Sequence, residues 1–243
     1  MDQISAIAAS GLRARMESLD MLANNIANAS TTGYKGDGEF YTLFTSEAAT
    51  GGNEGPDSTM PMIQRPWTDF SQGTLEPTNN PLDFGLSGKG FFAIQGPSGP
   101  LYTRNGSFQV TSAGTLATSD GYPLLGRDGK TLNADPTKPV EVTLDGSVRQ
   151  NGQLVGQLKL VDFKDASSLV KQGNNYFRSN SDQLPADATE IQVHQGRVEA
   201  SNVSAPQAAV RLVSVMRQFE MMQKAITISG DMSRKAIEEV ARV

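Results

Sequence analysis

Glycine and proline are confined almost entirely to the middle of this 243-residue chain. Only Gly11, Gly33 and Gly230 among the glycines, and only Pro206 among the prolines, lie outside residues 36–205. Both residue types break regular helix. The distribution therefore leaves the two ends free to be helical and makes everything between them turn-rich. Charge divides along the same lines, with the excess acid behind the net charge of −5 held in the middle.

The N-terminal end carries a helical stripe. Leu12, Met16, Leu19, Ala23 and Ile26 alternate by four and three positions, and Ile4 and Ala8 prolong the line. Asn28 and the run Ser30-Thr31-Thr32-Gly33 stop it, because short polar side chains compete for the backbone and glycine permits positive φ.

The C-terminal stripe is longer. Ser204 suits an N-cap and Pro206 a first helical turn. Ala208, Leu212, Val215, Phe219, Met222 and Ile226 then repeat the four-three alternation. A helix running from there to the end spans roughly 55 Å at about 1.5 Å per residue. That exceeds the width of a small domain, so it needs another long helix or neighbouring chains to cover it. The plainer reading is an amphipathic pair packed on the chain's own β domain. Helical ends around a β middle weigh toward intermolecular coiled-coil packing.

The middle reads as β. Residues 91–94, 101–103, 107–110, 140–144, 157–161 and 190–193 have strand character, and Asn105-Gly106, Asp145-Gly146 and Asn151-Gly152 mark hairpin turns. Residues 47–66, with three closely spaced glycines and three prolines, read as an irregular loop or extended arm. The expected fold class is α+β. A discontinuous helical coiled-coil assembly domain (1–35 plus 206–243) and a linker with an extended loop or hairpin (36–75) accompany a mainly antiparallel β-rich outer domain (76–205).

No constellation for catalysis emerges. The chain has no cysteine and one histidine, which excludes disulfides and thiolate metal sites and leaves little for a zinc or iron centre. His194 falls on the polar face of a strand, where an exposed histidine is expected rather than a triad member. Gly85-Leu86-Ser87-Gly88-Lys89-Gly90 lacks phosphate-loop spacing, and Phe91-Phe92 follow where a helix would start. The Asp-Gly pairs lack the alternating acids of a calcium loop. A net acidic chain is no general nucleic-acid binder, no apolar run suffices for a membrane helix, and Met1-Asp2-Gln3 opens no cleaved secretory signal. We expect no enzyme, no cofactor, no nucleic-acid partner and no membrane insertion.

Four blocks carry a resemblance. Residues 23–35, Ala-Asn-Asn-Ile-Ala-Asn-Ala-Ser-Thr-Thr-Gly-Tyr-Lys, resemble the N-terminal signature of the bacterial flagellar rod and hook proteins. Phe70-Ser71-Gln72-Gly73-Thr74-Leu75 follows, with Thr78-Asn79-Asn80-Pro81-Leu82-Asp83 before Gly88-Lys89-Gly90-Phe91-Phe92. Tyr102-Thr103-Arg104-Asn105-Gly106-Ser107-Phe108 leads to Ser119-Asp120-Gly121-Tyr122-Pro123. Gln195-Gly196-Arg197-Val198-Glu199-Ala200-Ser201-Asn202-Val203 runs into Arg217-Gln218-Phe219-Glu220-Met221 and Lys224-Ala225-Ile226. The blocks keep their order across nearly the whole chain, which is identified as a member of that family. It looks most like a proximal-rod member and next like a distal-rod member.

The resemblance implies a structural subunit of a hollow helical shaft in the flagellar basal body, spanning the periplasm after export. Its implied partners are copies of itself, other proximal and distal rod proteins, the type III export apparatus in passing, and a surrounding ring bushing. The expected assembly interface is Ile4, Leu12, Met16, Leu19, Ala23, Ile26, Leu212, Val215, Phe219, Met222 and Ile226. Asn24, Asn25 and Asn28 join it, either as helix terminators or as amides fixing register between neighbours. A secreted oligomeric adhesion or capping module and a carbohydrate-cleaving enzyme are the other function classes; no acid pair recommends the second.

Overall fold

The computed structural model describes residues 3–45, 59–173, 175–180 and 184–240. The chain divides into two compact units. The first comprises Met1–Ala27, Asp37–Thr68 and Ser204–Val243, and the second Asn28–Gly36 and Asp69–Val203.

The first unit holds two helices, α1 (Gln3–Ala27) and α2 (Ala205–Val240), and a hairpin of β1 (Asp37–Thr45) and β2 (Thr59–Thr68). The Ser204 carbonyl accepts the first helical bond of α2 from Ala208 N at 2.9 Å. Gly11 of α1 lies against Met222 of α2. Further along, Ser18 of α1 and Arg211 of α2 both bond the Glu39 carboxylate, Arg211 Nη2 at 2.7 Å. The pairings run in opposite chain directions, so the helices pack antiparallel. At 36 residues against 25, α2 outruns α1 by roughly three turns at about 1.5 Å per residue, or near 16 Å.

Residues 59–66 are not irregular. They form most of β2, paired antiparallel with β1 from Asp37↔Thr68 to Thr45↔Thr59, with a bulge between Glu39 and Tyr41. Pro61 and Pro66 fit because a two-stranded hairpin has an outer edge at which a missing N–H leaves no ladder bond unmade. The remainder of the 47–66 reading, up to residue 58, lies outside the described residues.

The second unit is β throughout. Its strands are β3 (Leu75–Pro77), β4 (Phe84–Gly88), β5 (Phe91–Gly96), β6 (Gly99–Thr103), β7 (Phe108–Val110) and β8 (Leu116–Thr118). After these come β9 (Val140–Val142), β10 (Ser147–Gln150), β11 (Gln153–Gln157), β12 (Leu160–Asp162), β13 (Leu169–Lys171) and β14 (Tyr176–Ser179). The last three are β15 (Ala186–Asp187), β16 (Ile191–Gln195) and β17 (Arg197–Glu199). One six-stranded sheet, β13-β14-β6-β5-β12-β15, dominates, and every pairing in it is antiparallel. A three-stranded sheet β11-β10-β9 and the pairs β16-β4, β17-β3 and β7-β8 complete the unit.

Strand β5 shows why the unit has two apolar layers. Alternate side chains of a strand point to opposite faces. Phe92 and Ile94 join Phe84, Leu86, Leu116, Leu124, Val148 and Val193 on one side. Phe91 and Ala93 join Tyr102, Phe163 and Phe177 on the other, where Phe70 packs edge-on against Phe91 and Phe177 at 5.6 and 5.1 Å.

Three local readings change. Residues 157–161 are not one strand, because the chain leaves β11 at Gln157 and enters β12 only at Leu160. Between them Leu158 N turns to Gly146 and Lys159 N to Leu125. Asn105-Gly106 is a corner rather than a hairpin, since β6 pairs with β14 and β5 and β7 with β8. Asn151-Gly152 is a hairpin turn, with φ of 50° and 76°, the pair of positive values that type I′ demands. His194 sits in β16 opposite Gly85 and is half-buried, so it is less open to solvent than the strand pattern suggests.

Candidate assembly site

The buried line of α1 is built, apart from Leu22, from small and polar residues. Gly11, Ala14, Ser18, Leu22 and Asn25 are buried, whereas Leu12, Leu19 and Ile26 are half-buried and Met16 and Ala23 exposed. Short side chains let a backbone come close to its neighbours, so apolar bulk is displaced to the flanks. The side chain of Ile4 lies outside the described residues. On α2, Val215 is buried and Leu212, Phe219, Met222 and Ile226 are half-buried.

A second apolar line on α2 faces outward, and sequence periodicity did not single it out. Val210, Val213, Met221, Ile228 and Met232 recur at helical spacing with exposures of 73%, 47%, 63%, 51% and 66%. Exposed bulk of this kind marks an interaction surface when it is contiguous.

The three asparagines differ. Asn25 is occupied within its own subunit, since its amide donates to the Asp37 carbonyl at 2.7 Å and accepts from Asp37 N at 2.9 Å. It thereby fixes the first residue of β1. Asn28 serves the helix end, its carbonyl accepting from Thr31 N at 3.0 Å and its side chain from the Thr31 hydroxyl at 3.3 Å. Asn24 is exposed on α1.

The second unit contains a buried charged cluster that the sequence reading missed. Glu199 is wholly buried and receives Lys35 Nζ at 2.5 Å and Arg104 Nη1 at 3.1 Å. It also accepts from Gly73 N at 2.9 Å. Lys35 reaches the Ser71 carbonyl at 2.6 Å, and Arg104 the Gly88 carbonyl at 2.6 Å while lying over the Phe91 ring. Burial pushes the Lys35 ammonium below its usual value against the opposing pull of Glu199, and acts on Arg104 in the same sense. A guanidinium remains charged regardless. One carboxylate thus holds two cations in a site almost closed to water.

Asn202 adds an uncharged anchor beside it. Its side chain accepts from Gly36 N at 2.8 Å and donates to the Asp69 carbonyl at 2.8 Å. Two glycines allow the backbones to close around the cluster. Gly33 has φ of 68°, and a Cβ there would lie 2.5 Å from Arg104 C; at Gly73 it would lie 2.0 Å from the Ala200 carbonyl oxygen. Either contact is impossible for a side chain.

Among the described residues no group of His, Asp and Glu is placed to hold a metal ion, and no described helix is long and apolar enough to cross a membrane. What the residues build is a locked polar junction in one unit and exposed helical apolar lines in the other.

Comparison with known proteins accounts for the same segments. Residues 6–35 match the family described as "Flagella basal body rod protein". Residues 85–200 match "Flagellar hook protein FlgE/F/G D1 domain", and 194–239 match "Flagellar basal body rod FlgEFG protein C-terminal". The flagellar basal-body rod protein FlgF of Caulobacter vibrioides is 34% identical, over 93% of this chain and 92% of its own. FlgF of Mesorhizobium japonicum is 31% identical over 96% and 95%, and FlgG of Buchnera aphidicola subsp. Schizaphis graminum 31% over 94% and 96%. The chain belongs to the flagellar basal-body rod protein family and is FlgF-like within it.

Proposed function

We propose that this structural rod subunit polymerises through its helices, with α1 and α2 joining those of neighbouring axial proteins in a coiled-coil layer and the β unit forming the outer layer. The observation that carries this reading is the outward apolar line of α2, from Val210 to Met232. These side chains stay exposed in the subunit although α1 packs on α2, so α1 does not cover them. The half-buried Leu12, Leu19, Ile26, Leu212, Phe219, Met222 and Ile226, with Met16, Ala23 and buried Val215, complete the seam. Asn24 and Asn28 lie at its edge, while Asn25 supports it from within.

Non-closing, head-to-tail contacts make a filament, and long stiff helices packed side by side give a shaft that transmits torque. The chain crosses the periplasm in that shaft after passage through the export apparatus, with proximal and distal rod proteins as neighbours and a ring bushing around it. The test is electron microscopy of hook–basal bodies from a strain lacking the gene, with an assay for secreted hook protein. We expect rods that stop just beyond the membrane ring and hook protein released to the medium. Complete rods carrying hooks would refute the reading.

A further inference from the structure

Four points of the chain pass between the helical unit and the β unit: at Asn28, Gly36, Asp69 and Val203. All four lead into segments that meet at the buried cluster. We propose that Glu199 is the keystone of a staple that ties these connecting segments to one buried point, so that a pull on any one is shared by the others.

The bonding carries this. Glu199 binds Lys35 of segment 28–36, Gly73 of the segment that enters at Asp69 and, through its carbonyl, Gly33 N at 2.7 Å. Its neighbour Ala200 donates to the Thr74 carbonyl at 2.8 Å, and Asp69 N to the Gly36 carbonyl at 2.8 Å. Asn202 spans Gly36 and Asp69. Segment 32–36 is held from elsewhere as well: Asn175 donates to the Thr32 carbonyl at 3.0 Å and Lys171 to the Lys35 carbonyl at 2.6 Å. The absence of room beside Gly33 and Gly73 leaves no slack between the segments.

Charge makes the staple asymmetric. Removing Lys35 leaves Arg104 and Glu199 paired, with Asp69 and Asp162 the further anions near the cluster. Removing the Glu199 charge strands two buried cations, and an uncompensated buried charge is the costly case. Glu199→Gln is therefore far more damaging than Lys35→Met, and the double variant recovers part of the loss because one stranded cation is gone. A polar cluster that only fills space predicts neither the asymmetry nor the recovery.

The staple stands on the geometry; its load-sharing role rests on the rod-subunit reading. The experiment is residue-resolved amide exchange on the full chain in solution. In E199Q we expect exchange at Gly33, Gly36, Gly73 and Ala200 to accelerate together by at least about tenfold, while Phe92 and Ile94 keep their protection. K35M changes these amides by less than about threefold, and K35M/E199Q falls between the single variants. Should E199Q not fold, N202A is decisive: Gly33 and Gly73, which Asn202 does not bond, accelerate with Gly36. Acceleration confined to Gly36 in N202A, or to residues 197–203 in E199Q, overturns the staple. In a strain lacking the gene, N202A should swim more slowly than wild type in viscous medium. Undiminished swimming despite accelerated exchange overturns load sharing alone, whereas a wild-type chain that never enters hook–basal bodies overturns the rod reading.

Discussion

The β unit puts its largest apolar side chains inside; the helical unit leaves several of its own outside. Phe84, Phe92, Phe177, Leu86 and Ile94 are all fully buried, whereas Val210, Met221, Ile228 and Met232 are mostly exposed on α2 and Met16 on α1. The first pattern is a finished core, closed by the chain on itself. The second, on the proposed assembly, is half of a core whose other half neighbours would supply. On that proposal one chain separates a part that is stable alone from a part that becomes stable by joining.

That contrast breaks most readily by substitution on each side. Phe92→Ala should cost about 3–5 kcal/mol, the usual penalty for emptying a buried aromatic site, and lower the β-unit melting transition by many degrees. Ile228→Asp should leave the isolated subunit within roughly 0.5 kcal/mol of wild type, as surface changes do. In cells the order inverts, with I228D abolishing rod assembly because each joint would bury an unpaired carboxylate. Calorimetry on purified chains and swimming assays separate the two. A large fall in subunit stability with I228D would mean that the α2 line is internal core.

Asn25 sharpens the same comparison at smaller scale, because it lies on α1 but serves its own subunit. Asn25→Ala leaves the Asp37 N–H and carbonyl without their amide partner, which costs about 1–3 kcal/mol. Hydrogen exchange at Asp37 should accelerate and the β1–β2 hairpin loosen before either helix end changes. If N25A disturbs assembly while the Asp37 amide stays protected, the residue works between subunits instead.

These positions also show how far sequence reaches. The two helices, the antiparallel β middle and the strand at 91–94 were legible, because glycine, proline and apolar period report them directly; that Phe92 and Ile94 enter one core and Phe91 and Ala93 the other was not. Which apolar line of a helix faces its own chain was not. Period selects Leu12, Met16 and Leu19, yet packing buries Gly11, Ala14 and Ser18, since close approach favours small side chains. The outward line of α2 was hidden behind the stronger stripe through Leu212 and Phe219. Lys35, Arg104, Glu199 and Asn202 were all quoted within the resembling blocks, but a charge in sequence reads as surface. A usable signal was present: Lys35 next to Gly36 with Gly33 close by, and Glu199 between Val198 and Ala200, are charges set among small and apolar neighbours, where surface charges seldom sit.

The weakest expected effect concerns the exposed turn between β9 and β10, where neither core nor interface is at stake. Asp145 accepts from the Thr143 hydroxyl, from the Ser147 hydroxyl at 2.7 Å and from Ser147 N at 3.3 Å. The Thr143 bond foremost, then those from Ser147, hold its carboxyl down at about 2. A carboxyl lowered in the folded state binds fewer protons there than in the unfolded chain, so its stabilisation is present above the ordinary value of about 3.9. It is lost as pH falls through that value toward about 2. Asp145→Asn removes this acid-side dependence, so wild type and variant should converge in melting temperature as pH drops from 5 to 2, an interval set by linkage at roughly these two values. The turn is open to water and screened, so the difference at neutral pH is the smallest of the set. A gap that stayed constant across the interval would show that the Asp145 charge contributes nothing, and that the turn holds by backbone geometry at Gly146 alone.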